Sequence, residues 1–508
     1  MVVKCNSVGL FGMDGYMVEV EADVSGGIAA FDIVGLPDAA VRESRDRVRT
    51  AMHNCGYGFP VSRITVNLAP ADIKKAGPLY ELPILVSIMH ATSQINAPIS
   101  DCAFIGELSL SGEVRSVNGV LPMAIKAKEA GIKKLFVPFE DSAEGAVVAG
   151  LEVYPVRTVV ELVEHLCGKK LIAPATVPQE VITHGFMPDF SQVKGQYEAK
   201  RALEVAAAGG HNVLLIGPPG SGKSMLAKRI PSILPDMTFE ERIEASKIHS
   251  IAGLLPKGQS LITERPFRNP HHTVSSVGLS GGGTIPKPGE VSLAHNGVLF
   301  LDELPEFSRT ALEVLRQPME DSKVTVSRVH STVSYPCSVM LIAAMYPCPC
   351  GYFGHPRKKC TCSENAIHKY LGRVSGPLLD RIDIHVEVPA VEYEELSSYS
   401  GAEPSAKIKE RVDKARKIQL ARFEGTSVTC NARLTPDLQS SVCVTDDKAQ
   451  QVLRDAFDKL GLSARAYDRV LKVSRTIADL EASEIIRADH VLEAVQYRTL
   501  DKKYWNTF

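Results

Sequence analysis

The most constraining feature of this sequence is a glycine-rich loop near the middle of the chain, between an apolar run and a helical stretch. Residues 212–216 before it are Asn-Val-Leu-Leu-Ile, and residues 225–229 after it are Met-Leu-Ala-Lys-Arg. The loop itself consists of Gly217, Pro218, Pro219, Gly220, Ser221, Gly222, Lys223 and Ser224. A strand–loop–helix unit of this composition turns backbone N–H groups toward a phosphate at the start of a helix. The pattern therefore predicts an α/β fold with a parallel sheet and a P-loop.

A second apolar strand ends in two carboxylates, Asp302 and Glu303. Its residues 298–301 are Val-Leu-Phe-Leu, and ligands of α/β proteins bind at the carboxyl ends of such strands. Together with the P-loop, this pattern predicts a site for ATP and Mg²⁺. Lys223 is expected to reach the β- and γ-phosphates, while Ser224 and Asp302 hold Mg²⁺. Glu303 is expected to polarise the attacking water.

Length and charge restrict the classes of protein that fit. A chain of 508 residues is too long for one core and is expected to form about two to four domains. The net charge of −2 gives no overall basic field, so nucleic-acid binding would depend on local patches. The 11 cysteines mostly stand singly, which favours a reducing compartment, the cytoplasm. The sequence predicts neither a membrane span nor a secretory signal.

Four regions differ in their patterning. Residues 1–168 alternate short strands with helices and are expected to form a compact α/β domain. Residues 169–189 contain three spaced prolines and are typical of a linker. Residues 190–392 carry buried-strand runs and predict the parallel-sheet core, and residues 393–508 are dominated by helical periodicity.

Five motifs carry a resemblance to a known family. They are 269–273 (Asn-Pro-His-His-Thr), 288–297 (Pro-Gly-Glu-Val-Ser-Leu-Ala-His-Asn-Gly), 301–307 (Leu-Asp-Glu-Leu-Pro-Glu-Phe), 376–383 (Gly-Pro-Leu-Leu-Asp-Arg-Ile-Asp) and 463–467 (Ser-Ala-Arg-Ala-Tyr). Over essentially its whole length the chain resembles the ComM/YifB family of magnesium-chelatase-like AAA+ proteins. The resemblance implies a hexameric ATPase that drives DNA branch migration in natural transformation and recombination, with residues 393–508 as its helical lid.

The resemblance also implies roles for individual residues. Arg381 corresponds to an arginine finger that reaches the nucleotide of a neighbouring subunit, and Arg465 to a sensor arginine of the lid. Gln196 is expected to lie against the adenine. At the end of the strand before residue 347, the family usually has an asparagine that orients the attacking water, whereas this chain has Tyr346. Slower hydrolysis is therefore predicted.

The amino-terminal region resembles the Lon-protease-like domain of the same family. The resemblance rests on residues 35–38, 68–78 and 106–114. A Lon-type peptidase requires a serine nucleophile activated by a lysine, but Leu79 and Tyr80 stand where the serine is expected. The domain is therefore predicted to be non-peptidolytic and to serve assembly or substrate guidance.

Two C-x-C pairs form a cluster in the core region. The pairs are Cys348 with Cys350 and Cys360 with Cys362. Four thiolates can hold a structural Zn²⁺ tetrahedrally, although this spacing is tighter than in most zinc sites. Four reduced loop thiols are the alternative, and both interpretations remain open.

A β-hairpin and an insertion provide candidate contacts for DNA. Residues 323–335 predict a hairpin with Arg328 and His330 near its tip, a position from which AAA+ helicases project hairpins into a central pore. The insertion before the second acidic strand contributes Arg268, His271 and His272. Such side chains contact phosphates without reading sequence, although exposed hairpins also carry polar residues for solubility alone.

Three functions fit these patterns. The first is a DNA motor with helicase or branch-migration activity. The second is a protein-remodelling or metal-chelatase-like ATPase without a DNA substrate. The third is a nucleotide-gated scaffold with little turnover. The whole-chain resemblance favours the first.

Overall fold

The computed structural model describes residues 2–177, 187–283, 286–328, 331–391 and 402–505. The chain divides into two compact units. The first comprises Met1–Ile182, Arg242–Thr263 and Ser327–Tyr335, and the second contains the remaining segments. Two segments from within the range expected for the ATPase core, 242–263 and 327–335, thus belong to the first unit.

The first unit is built on a seven-stranded mixed sheet. Its strands are β1 (Val2–Phe11), β2 (Asp14–Ser25), β3 (Ala30–Val34), β4 (Arg63–Ala69), β5 (Cys102–Phe104), β6 (Lys134–Pro138) and β7 (Glu152–Val156). The spatial order is β3-β4-β2-β1-β5-β6-β7. β2 pairs antiparallel with both β1 and β4, and the other pairs are parallel. The sequence pattern predicts strands at 15–22, 64–68 and 134–137, and β2, β4 and β6 cover these positions.

Helices pack apolar faces onto this sheet. They are Ala39–Asn54, Glu81–Ala91, Val120–Glu129, Ser142–Ala146 and Val159–Leu166, and two short strands, Glu107–Leu108 and Val114–Arg115, pair beside them. The Asp38 side chain caps the first helix by accepting from the N–H of Val41. The helix Glu81–Ala91 is buried over nearly its whole length. Most of its residues are apolar, and apolar side chains on several sides of a helix are typical of one enclosed within a core.

The second unit contains a five-stranded parallel sheet. Its strands are β8 (Val213–Ile216), β9 (Phe267–Arg268), β10 (Val298–Leu301), β13 (Met340–Met345) and β14 (Ile384–Glu387), in the spatial order β9-β10-β13-β8-β14. The hairpin strands β11 (Lys323–Arg328) and β12 (Ser331–Pro336) pair as a separate two-stranded sheet, as do Gly281–Gly282 and Lys287–Pro288. Because β8, β10 and β13 are parallel neighbours, their carboxyl ends meet at one edge of the sheet.

Helices of the second unit share one hydrophobic core with its sheet. Around the sheet lie Tyr197–Gly209, Lys223–Ala227, Ser276–Ser280, Glu290–Leu293, Arg309–Val314, Arg316–Asp321, Glu364–Leu371 and Gly376–Leu379, and Phe239–Ala252 begins in this unit. The carboxyl-terminal helices are Ser405–Arg422, Pro436–Val442, Asp447–Leu460, Ala464–Leu480, Ala488–Gln496 and Thr499–Tyr504. Residues of both groups, among them Ala206, Val412 and Ile477, are fully buried in the same apolar cluster. Helical periodicity predicts helices at 406–423, 446–460, 464–481 and 488–497, and these are confirmed with ends within one residue of the expected positions.

Within the described ranges, the structure has no helix both long and apolar enough to span a bilayer. Part of the predicted linker, 178–186, lies outside these ranges.

Candidate nucleotide site

The glycine-rich loop 217–224 lies between a buried strand and the start of a helix. β8 is fully buried, and the helix Lys223–Ala227 follows the loop. Gly222 precedes this helix with a φ of 92°, a left-handed conformation that glycine adopts without a steric cost. The loop therefore ends at a helix amino terminus, where unpaired N–H groups favour an anion.

The ammonium of Lys223 folds back onto the loop. Its Nζ donates to the carbonyl oxygens of Gly217 (2.8 Å) and Pro218 (2.9 Å), and the residue is only 6% exposed. Burial lowers the pKa of Lys223 to about 8, although the carboxylates of Asp302 and Glu303 act in the opposite direction. The neutral carbonyls do not compensate this buried charge fully, so an anion entering the loop would stabilise the ammonium.

Asp302 joins the second acidic strand to the loop. β13 separates β10 from β8 in the sheet, and both carboxyl ends open on the same edge. The Ser224 hydroxyl donates to Asp302 Oδ2 at 2.6 Å, and Asp302 Oδ1 accepts from the N–H of Glu303 at 3.1 Å. A hydroxyl and a carboxylate in contact are oxygen ligands of the kind that Mg²⁺ binds. The residues present therefore fit a magnesium site.

Glu303 has a left-handed backbone and a histidine neighbour. Its φ is 55° and its ψ is 50°, a conformation uncommon for a residue with a side chain. The carboxylate is partly exposed, and its Oε2 lies 3.6 Å from Nδ1 of His272. The insertion thus places His272, a predicted DNA contact, beside the carboxylate predicted to polarise water. Sequence spacing gave no signal for this pairing, because the two residues come from separate segments.

Tyr346 covers Lys223 at the end of β13. The Nζ of Lys223 lies 4.5 Å from the centre of the Tyr346 ring, within the range of a cation–π contact. Burial raises the pKa of the Tyr346 hydroxyl, and the nearby carboxylates of Glu303 and Asp302 raise it further. Tyr346 therefore borders the P-loop lysine and both acidic residues.

Gln196 connects the segment before the helix Tyr197–Gly209 to the P-loop. Its Nε2 donates to the carbonyl oxygens of Ser221 (3.2 Å) and Pro389 (2.7 Å). Its Oε1 is buried without a hydrogen-bond partner among the residues described. An amino group, such as the exocyclic amine of adenine, is a donor that would satisfy this acceptor.

Arg381 and Arg465 approach the same carboxylate, that of Glu320. Arg381 is 7% exposed, and its guanidinium forms an ion pair with Glu320 and donates to the carbonyl oxygen of Pro377 at 2.5 Å. Arg465 Nη2 lies 4.0 Å from Glu320 Oε1, and its side chain is largely exposed. The Ser463 hydroxyl caps the helix that begins at Ala464 and so fixes the first turn, which carries Arg465.

The remaining predicted DNA contacts differ in their surroundings. Both Nε and Nη2 of Arg268 donate to the carboxylate of Glu290, at 2.7 and 2.8 Å, and this pairing raises the pKa of Arg268. His271 packs against His272 with ring centres 4.1 Å apart and hydrogen-bonds Thr273 at 2.9 Å. Arg328 ends β11. His330 lies outside the described residues, and the placement of the Arg328 side chain is likewise not described.

Family models match the chain in three consecutive segments. The model described as subunit ChlI of Mg-chelatase matches residues 20–141, and that of magnesium chelatase, subunit ChlI, matches residues 189–396. The model of its C-terminal part matches residues 402–498. All three describe the same type of subunit.

Full-length relatives decide the family. Competence protein ComM of Haemophilus influenzae is 41% identical over 500 residues, which cover 96% of each chain. The uncharacterized protein YifB of Escherichia coli is 41% identical over 493 residues, covering 97% of this chain and 96% of its own. The chain belongs to the ComM/YifB family of magnesium-chelatase-like proteins. Membership in the ComM/YifB family, predicted from the motifs, is thus confirmed.

A weaker similarity involves about a third of this ComM/YifB family member. Lon protease 2 of Bacillus subtilis is 27% identical over 190 residues, which cover 34% of this chain and 33% of that protein. At the position of the expected nucleophile, Leu79 is partly buried, and the Tyr80 hydroxyl lies 3.1 Å from that of Tyr16. Burial raises the pKa of Tyr80 well above its usual range. Neither side chain is an activated nucleophile.

Four thiols of this ComM/YifB chain meet beyond the end of β13. The sulfur of Cys348 lies 3.4 Å from that of Cys350 and 3.7 Å from that of Cys360, and Cys350 and Cys360 are 3.5 Å apart. With Cys362, all four sulfurs lie within 4.8 Å of one another. The N–H of Phe353 donates to the sulfur of Cys348 at 3.3 Å. The two C-x-C pairs therefore form one cluster.

Proposed function

We propose that this chain is a magnesium-dependent AAA+ ATPase that assembles into a hexameric ring and acts as a DNA motor. The observation that carries the proposal is the 2.6 Å hydrogen bond from Ser224 to Asp302, beside the enclosed ammonium of Lys223. A hydroxyl, a carboxylate and a lysine at one edge of a parallel sheet fit the requirements of a nucleotide triphosphate with its metal.

Different residues of the chain have separate roles in ATP hydrolysis. Lys223 and the loop amides bind the phosphates, and Ser224 with Asp302 would hold Mg²⁺, which neutralises charge on the phosphate oxygens when bound. Glu303 orients and polarises the attacking water, and His272 supports its carboxylate. Gln196 borders the base, and Arg465 serves as the sensor of its own site.

Ring formation rests on Arg381. We propose that its guanidinium leaves Glu320 and completes the site of an adjacent subunit, where it neutralises charge on the transferring phosphoryl group. Support comes from its position two residues after the helix Gly376–Leu379, in the motif 376–383 that carries the resemblance. Residues 393–508 would act as the lid above the nucleotide, and residues 1–168 as a non-peptidolytic Lon-like module for assembly or guidance.

DNA is the proposed substrate. The relative from Haemophilus influenzae is named a competence protein, and competence is the capacity of a cell to take up DNA. The hairpin β11–β12 would contact phosphates through Arg328 and His330, which are predicted to lie near its tip. The bound partner would be single-stranded or branched DNA. The protein would act on it in the cytoplasm, during the recombination that follows natural transformation.

A chelatase-like or protein-remodelling ATPase is the second candidate. The family models that match this chain are those of a magnesium-chelatase subunit, and the bidentate ion pair of Arg268 with Glu290 removes one proposed cation from DNA binding. ATP turnover that is insensitive to every DNA structure would favour this candidate.

ATPase measurements with single-stranded, duplex and branched DNA test the proposal. We expect DNA to stimulate turnover, with a steep loss of stimulation as salt rises because counterions compete for the phosphates. Lys223→Ala should abolish turnover. Arg381→Ala, mixed with wild-type chain, should inhibit the mixture by more than dilution, because each altered subunit disables its neighbour's site. Simple proportional loss on mixing would refute the shared site.

We also propose that the four clustered thiols hold a structural Zn²⁺. Zinc–sulfur bonds of about 2.3 Å in a tetrahedron place sulfurs about 3.8 Å apart, whereas a disulfide requires about 2.05 Å. The separations of 3.4–3.7 Å fit the first arrangement. Elemental analysis is expected to find one zinc per chain, and loss of that zinc in Cys360→Ser.

A further inference from the structure

The loop that carries the four thiols begins inside the nucleotide site. β13 ends at Met345, whose carbonyl oxygen accepts from the N–H of Gly217 at 3.3 Å. The next residue, Tyr346, lies with its ring over Lys223, and Cys348 follows after a single proline. The first thiol is therefore anchored two residues from an aromatic ring that contacts the P-loop lysine.

The same loop touches the P-loop a second time. Gly351 has a φ of 82°, and a Cβ built on it would lie 2.5 Å from Cδ of Pro219. A left-handed backbone and the absence of a side chain are both needed for this approach. The Gly351 N–H donates to the carbonyl oxygen of Cys348 at 2.9 Å, which closes the turn between the first two thiols.

These contacts place the thiol cluster where it can hold the phosphate-binding loop in shape. The loop from 346 to 363 has little regular structure of its own, since the next helix starts only at Glu364. Four thiols drawn from both ends of this segment would otherwise depend on weak S–H contacts. A metal bound to all four closes the segment with coordinate bonds and fixes the turn that carries Gly351.

We propose that Zn²⁺ on Cys348, Cys350, Cys360 and Cys362 positions the P-loop for nucleotide binding, through the contacts of Gly351 with Pro219 and of Tyr346 with Lys223. This inference rests on the nucleotide site of the proposed function and adds a requirement for metal at that site. The thiols are positioning residues, because they touch the loop and not the nucleotide. Loss of zinc is expected to weaken ATP binding while the chain remains folded.

Direct binding of a fluorescent ATP analogue tests the proposal without relying on turnover. Zinc content and the dissociation constant are measured on wild-type chain, Cys360→Ser, Gly351→Ala and the control Cys167→Ser, whose thiol is exposed in the first unit. We expect Cys360→Ser to lose zinc and to bind roughly tenfold more weakly, equivalent to about 1.4 kcal/mol. Gly351→Ala is expected to keep its zinc and yet bind weakly, because the added Cβ displaces the turn from Pro219. Cys167→Ser should match wild type.

Each alternative result has a distinct meaning. Wild-type chain without zinc, or with the four cysteines paired as disulfides, overturns the metal site. If the wild-type chain is fully loaded with zinc but Cys360→Ser and Gly351→Ala both bind nucleotide as tightly as wild type, the coupling is overturned and the ATP site stands. Zinc-loaded wild type that binds no ATP analogue refutes the proposed function instead. If Cys360→Ser fails to fold, removal of zinc from the folded wild-type chain with a chelator, followed by the same binding measurement, decides the coupling.

Discussion

Arg381 and Arg465 share the carboxylate of Glu320, although one arginine is buried and the other is largely exposed. A guanidinium with so little exposure reaches another molecule only after it exchanges its partner. Glu320 is half-exposed and lies at the end of the helix Arg316–Asp321, so water can take its place beside the arginine. The contact therefore holds both predicted phosphate-sensing arginines on the chain that carries them.

The first prediction concerns release of Arg381. In Glu320→Gln the charged partner is lost, and a partly exposed ion pair is worth about 0.2–1 kcal/mol. We expect DNA-stimulated ATP turnover to rise by up to roughly fivefold, because the Arg381 guanidinium is released more readily to the site of the adjacent subunit. Glu313→Gln, which removes the neighbouring ion pair with Arg316, is the matched control. A fall in turnover as deep as that of Arg381→Ala would show that Glu320 aims the finger instead of retaining it.

The second prediction concerns His272. Its ring lies beside Glu303, and removing it leaves the carboxylate free to turn away from the attacking water. We expect His272→Asn to lower kcat by about tenfold, a part of the contribution of a positioned general base, with ATP affinity unchanged. His271→Asn, which alters the adjacent ring bonded to Thr273, should retain near wild-type kcat when both variants are measured without DNA. Equal losses in both variants would contradict the assignment.

The third prediction concerns Tyr346. The resemblance predicts an asparagine that orients the attacking water at this position, so Tyr346→Asn is expected to increase the rate of single-turnover hydrolysis. Tyr346→Phe keeps the ring over Lys223 and should leave that rate close to wild type, because the contact uses the ring face and not the hydroxyl. Rapid-quench measurement of phosphate release with excess enzyme provides the rates. An unchanged rate in Tyr346→Asn would contradict the prediction.

The fourth prediction is a pH dependence of stability in the first unit. Burial raises the pKa of Glu144 from 4.5 to about 7. Hydrogen bonds from the Ser250 hydroxyl and the N–H of Leu121 lower this pKa, and the nearby charge of Asp141 raises it. Between these pKa values the folded chain holds a proton that the unfolded chain has released. The group's contribution is therefore fully present below about pH 4.5 and declines by up to about 1.4 kcal/mol per pH unit until about pH 7.

Glu144→Gln tests this sign. The amide does not titrate. The free energy of unfolding of this variant, measured with denaturant, should therefore fall less between about pH 4.5 and pH 7 than that of wild type. Glu129→Gln, at an exposed site in the helix Val120–Glu129, should keep the wild-type profile. Identical profiles for wild type and Glu144→Gln would rule out the buried carboxyl as the titrating group.

Contiguous motifs allowed much of the fold to be predicted. The P-loop strand and helix, the strand before Asp302 and the carboxyl-terminal helices appear where the patterns indicate them, because hydrophobic periodicity and capping act over short stretches of chain. The cluster of C-x-C pairs could also be anticipated, since only a short segment separates its two pairs. The roles of the site residues and the domain boundaries remain predictions.

The amino-acid sequence alone determined the family, the α/β class and the phosphate-binding loop, because each depends on neighbouring residues. Only the tertiary structure decided that His272 lies against Glu303, that Arg268 is neutralised by Glu290, and that residues 242–263 and 327–335 join the first unit. It also decided that Gly351 packs on Pro219. Contacts of this kind form when segments distant in the sequence pack together, so they cannot be predicted from spacing along the chain.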